Sequence, residues 1–153
     1  MDILAPASPV EMEEVQRKLN ALDLSKIHLN LQDTVDGPGW TAEQCLQVES
    51  RYRTMLAGRM LYPNIVFAPD KELDVFWHYH ILDTRAYIAD CNALFGAYLH
   101  HDPYLGMEGQ ESEEALMRAW TATQELYQLL GSAERPLATA AFCGMGDGNA
   151  PAT

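Results

Sequence analysis

The chain has little cysteine, little positive charge and no long apolar run, and each shortage removes a class of protein. Its three cysteines among 153 residues, Cys45, Cys91 and Cys143, are too few and too scattered for a disulfide framework. Their spacings match no CxxC zinc or redox motif. Ten Lys and Arg stand against 22 Asp and Glu, a formal charge of −12. Non-specific binding to nucleic acid or to an anionic membrane needs a cationic surface, so neither is expected as a partner. No apolar run approaches the roughly 20 residues needed to span a bilayer. Met1 to Pro9 carries an Asp and two prolines but no basic segment followed by an apolar core. A soluble, cytoplasmic protein is the expectation. Internal repeats, a P-loop, a dinucleotide glycine fingerprint and a nucleophile elbow are all missing as well.

What remains suits one compact all-α domain. The length and normal apolar content fit a single core. Ser8-Pro9-Val10-Glu11 reads as a helix start, with Ser8 as N-cap, Pro9 at the first helical position and Glu11 three residues beyond the cap. That helix is expected to reach about Leu22. After a loop through Asp36-Gly37-Pro38-Gly39, Thr41 opens a second helix, whose apolar positions include Cys45, Val48, Tyr52, Met55 and Leu56, and Pro63 ends it. Residues 64–68 read as an extended connector or a short strand. Asp70 caps a third helix, which runs on, bent or broken near Asp83-Thr84, to about Phe95. Residues 96–109 read as an irregular loop, and a last helix follows from Ser112 to about Leu130. Four to five helices are therefore expected over residues 1–133. An irregular tail rich in Gly, Ala and Pro is expected over 134–153.

Four of the five histidines lie between positions 78 and 101. Between them stand carboxylates, a thiol and large aromatics in a mostly apolar stretch. Polar groups in apolar surroundings need partners: each other, water or a metal. On one continuous helix over 71–95 the polar residues form two stripes. One holds His80, Asp83, Thr84, Tyr87, Asp90 and Cys91; the other holds Asp74, His78 and Arg85. His78 and His80, two residues apart, would face away from each other.

His80 and Asp83, at i and i+3, could share an ion, with His101 as the third ligand and His100 the less favoured of the adjacent pair. Two imidazoles and a carboxylate suit a mononuclear iron(II) centre, and nitrogen and oxygen donors also suit zinc, iron being slightly preferred. Asp74 could orient His78 as a general acid or base. Tyr87, Asp90 and Cys91 are further candidates on the first stripe, and Cys143 is one if the tail folds back. The competing reading is a structural polar network of His–Asp pairs in the core. Two functions follow: a metal-dependent enzyme acting on a small molecule or peptide, or a non-catalytic helical module that binds a protein partner.

The stretch Val75-Phe-Trp-His-Tyr-His-Ile-Leu-Asp-Thr-Arg-Ala-Tyr-Ile-Ala-Asp-Cys, with Phe95-Gly96 and Leu99-His-His-Asp-Pro-Tyr, resembles the glycine-rich domain-containing protein-like family. The chain looks like one of its stand-alone bacterial forms, over roughly residues 20 to 131. The resemblance marks Asp74, Trp77, His78, His80, Asp83, Tyr87, Asp90, Cys91, His101 and Pro103 as signature positions. It implies no particular activity or cofactor.

Overall fold

A computed structural model describes residues 3–130. The tail expected over 134–153, Cys143 included, lies outside the described residues. Within them the chain is all-α, with no strand. The six helices are α1 (Pro9–Asn20), α2 (Ser25–Gln32), α3 (Ala42–Leu61), α4 (Lys71–Leu82), α5 (Thr84–Phe95) and α6 (Gly109–Leu130). None is long and apolar enough to cross a membrane.

Local chemistry accounts for most of the helix starts. Ser8 Oγ accepts from Glu11 N, and Glu11 Oε1 accepts from Ser8 N, a complete capping box. Thr41 Oγ1 accepts from Gln44 N, and Asp70 Oδ1 from Leu73 N.

Two elements differ from the expectation of four to five helices. The eight-residue α2 has no side-chain cap at Leu24, and only Ile27 and Leu31 are buried along it. So short an amphipathic signal is easily read as loop. The helix expected over 71–95 is broken where a bend or break is expected: it is two helices, divided at Asp83, whose φ of −81° and ψ of 74° end α4 while its carboxylate faces Ala86 N at the start of α5. The last helix begins at Gly109 rather than Ser112. Ser112 Oγ instead accepts from Gly106 N at 2.8 Å and ties down the preceding loop. Residues 64–68 form a connector without strand pairing, and Ala68 N donates to Thr123 Oγ1 on α6.

The third of the six helices, α3, lies at the centre, packed by α1, α2 and α4 and, separately, by α6. Cys45, Val48, Tyr52, Met55 and Leu56 are all buried on it. Gly58 allows α6 to approach closely, because a Cβ there would stand 2.4 Å from Leu126 Cδ2, and Leu126 is itself fully buried. The third helix also fixes where α4 begins. Arg51 is 3% exposed, and its Nη1 binds Asp70 Oδ2, while Asp70 Oδ1 caps α4. Glu72 lies 3.8 Å from Arg51 Nη2.

A buried guanidinium that loses its carboxylate is costly. Asp70→Ala removes the partner and the cap together, and is expected to lower unfolding free energy by about 3–5 kcal/mol. Urea titration followed by circular dichroism measures this.

Candidate metal centre

The division at Asp83 decides which polar side chains meet. In one continuous helix, residues ten apart would be separated by about 15 Å along the axis. Folding α5 back against α4 brings two such pairs into contact. His80 Nε2 lies 2.8 Å from Asp90 Oδ2, and Trp77 Nε1 donates to Tyr87 Oη at 2.9 Å.

His80 is buried with both ring nitrogens engaged. Tyr52 Oη lies 2.6 Å from Nδ1, and Asp90 takes Nε2. One tautomer satisfies everything: Nε2–H donates to the carboxylate and Nδ1 accepts the phenol proton. Burial lowers the His80 pKa, against the raising effect of Asp90 and Asp83. Burial likewise holds the Tyr52 phenol well above its ordinary value. This is a closed Tyr–His–Asp chain with no nitrogen left for an ion.

Tyr87 sets the loop that follows α5. Its hydroxyl receives the Trp77 indole proton and donates its own to Leu99 O at 2.5 Å. Burial raises its pKa, so it remains a donor. Gly96, at φ 68°, ends α5 in the left-handed region and turns the chain back. Two residues after Leu99, His101 is delivered onto α4 with its ring 4.5 Å from Trp77.

There it meets Asp74 and His78, one turn apart on α4. His101 Nε2 lies 2.6 Å from Asp74 Oδ1 and 3.1 Å from His78 Nε2, and His78 Nε2 lies 3.4 Å from Asp74 Oδ2. These three residues can offer one ligand atom each to a shared ion. The side chains of His101 and Asp74 are 10% and 12% exposed and that of His78 49%, so the triad opens to solvent on one side.

Protons satisfy this triangle poorly. A ring nitrogen carries either one proton or one lone pair in the ring plane. If His101 Nε2–H donates to Asp74 Oδ1, His78 Nε2–H can reach Oδ2 only at 3.4 Å, and two N–H groups then face each other across 3.1 Å. A cation takes all three lone pairs at once. Donors about 2.1 Å from a common ion, at octahedral or tetrahedral angles, stand roughly 3.0–3.4 Å from each other. Two of the observed spacings, 3.1 and 3.4 Å, lie in that range; the 2.6 Å contact of His101 with Asp74 Oδ1 is shorter.

The set expected from the sequence, His80, Asp83 and His101, is not brought together. His80 is spent on Tyr52 and Asp90, and Asp83 is an exposed cap between helices. Asp74 and His78, expected as an acid–base pair, stand instead beside His101. Arg85 is exposed on α5, beyond the break from Asp74 and His78. Of the remaining candidates, Tyr87 and Asp90 position other side chains, Cys91 is buried and free, and His100 is exposed against Tyr98. Sequence reasoning missed Tyr52, read as an apolar core position, and Arg59, which shares a cavity with His101.

The family described as UCP032817-like matches residues 17–130. The chain belongs to the UCP032817-like family. This corrects the resemblance to the glycine-rich domain-containing protein-like family, which rested on one short His/Asp-bearing stretch and its flanks. The UCP032817-like match takes in α2 to α6 and every residue of the triad. No curated protein and no solved structure shows a significant match to the chain.

Separate networks should fail separately. Tyr52→Phe leaves His80 Nδ1 buried and unsatisfied, and is expected to cost about 1–3 kcal/mol of stability. It should leave divalent-metal affinity at Asp74, His78 and His101 within about twofold. Thermal melts paired with metal titration check both halves.

Proposed function

We propose that this protein is a metal-dependent enzyme whose divalent ion is held by Asp74, His78 and His101. The convergence of two imidazole nitrogens and the two oxygens of one carboxylate, in contacts of 2.6–3.4 Å, carries the reading. Two imidazoles and one carboxylate occupy one face of an ion and leave its other positions free, the donor set of mononuclear iron(II) oxygenases and close to that of catalytic zinc. Iron(II) is the proposed metal, with a small molecule as substrate. When bound, such an ion supplies Lewis acidity and open positions for water, oxygen or substrate.

The residues of this chain do the remaining work. Asp74, on the first turn of α4, supplies the negative charge that retains a cation. The Trp77 ring lies against His101 and limits its rotation. Tyr87, through Leu99 O, holds the backbone from which His101 projects. His78, half exposed, forms the solvent side, where an exchangeable ligand enters.

Protein purified without a histidine tag and reconstituted anaerobically is expected to hold about one iron(II) per chain by elemental analysis. Asp74→Asn and His101→Ala should each weaken binding by at least about tenfold, whereas Asp83→Asn should not. Failure of the wild type to bind iron(II) or zinc(II), or equal binding by Asp74→Asn and His101→Ala, sinks the reading. A non-catalytic interaction module would give that result.

A further inference from the structure

Beside the triad lies a cavity of about 190 Å3, whose walls include Phe67, Trp77, Leu116, His101, Asp102 and Arg59. Trp77 and His101 are therefore shared between the cavity and the candidate metal centre. Most of the lining is apolar, and Arg59 is its one cationic side chain.

Arg59 sits in the last turn of α3, partly buried. Its Nη1 donates to Ile65 O at 3.0 Å, which orients the guanidinium under the 64–68 connector. Among the described residues no carboxylate lies within ion-pair distance of it. Among the described residues, the buried side-chain atoms without a hydrogen-bond partner are those of Arg51. The remaining N–H groups of Arg59 therefore reach space that solvent or a ligand can occupy. Burial lowers its pKa from the ordinary arginine value, so an anion there would relieve an unfavourable charge. An arginine in this state is unusual on a chain with a formal charge of −12.

We propose that this cavity binds a small monocarboxylate, its carboxylate on the Arg59 guanidinium and its apolar body against Phe67, Trp77 and Leu116. The guanidinium fork matches a carboxylate with two parallel N–H···O bonds. An apolar cavity of about 150 Å3 accepts a benzene ring, so this one suits a ligand of benzoate size. The Asp102 carboxylate at the same cavity opposes a second negative charge, which favours monoanions over dianions. Identifying the monocarboxylate as substrate rests on the metal-centre reading; its affinity for the cavity does not.

Benzoate is the probe, with benzamide as its neutral counterpart and phthalate as the dianion. Binding to the full chain is followed by ligand-observed NMR, first without metal and then with zinc(II) present. Benzoate is expected to bind without metal, at least about tenfold more tightly than benzamide or phthalate. Arg59→Met should remove that preference, and Arg59→Lys, which keeps the charge and the stem, should weaken it. Because benzoate binding is read first without metal, failure of the cavity and failure of the metal centre remain distinguishable. Equal affinity for benzoate and benzamide, unchanged preference in a folded Arg59→Met, or no benzoate binding up to about 50 mM overturns the proposal. The wild-type comparison decides the matter even if Arg59→Met does not fold.

Discussion

One phenol holds the site together. The Tyr87 hydroxyl accepts from the Trp77 indole on α4 and donates to Leu99 O in the loop after α5. It thereby joins three segments that no local rule would bring together. Trp77 is a wall of the cavity and lies against the His101 ring; Leu99 is two residues before His101. Tyr87 is buried and its pKa is raised by that burial, so the hydroxyl keeps the proton it donates. The position of His101 over α4 is thus tied to a hydrogen bond made by a residue of α5.

A second constraint works at the other end of α4. The Arg51 guanidinium, the Asp70 cap and the Glu72 carboxylate fix the first turn of that helix to the middle of α3. Asp74 lies one turn further on. Its backbone N–H donates to Asp70 O at 2.8 Å, so the triad carboxylate inherits its placement from the ion pair. Buried charge is an expensive way to fix a helix, and a hydrophobic contact could hold it at lower cost. What the ion pair adds is direction: a carboxylate that caps with one oxygen and pairs with the other permits only one helix start.

Several elements could be read from the residues before any coordinates. Ser8 with Glu11, Thr41 and Asp70 marked three helix starts correctly, because capping is local chemistry. The concentration of histidines and carboxylates between 74 and 101 marked the stretch that contains the Asp74, His78 and His101 triad. Their grouping could not be read. The two-stripe picture assumes one straight helix, and although a bend or break near Asp83-Thr84 was legible, the way α5 folds back from it was not. That division is stabilised by contacts between residues ten apart, His80 with Asp90 and Trp77 with Tyr87, which a helical wheel cannot display. Arg59 escaped notice for a similar reason. A lone arginine in the last turn of a helix looks like an ordinary partner for the helix dipole. Only the folded connector over 64–68 shows that it faces a cavity.

The imidazole of His101 belongs to two places at once, with its Nε2 among the triad donors and its ring in the cavity wall. Whatever restrains that ring from one side restrains it for the other. Occupants of the two places would then be thermodynamically linked, each altering the other's affinity by the same factor. A single side chain would serve as the coupling element, without a change in the helical frame around it.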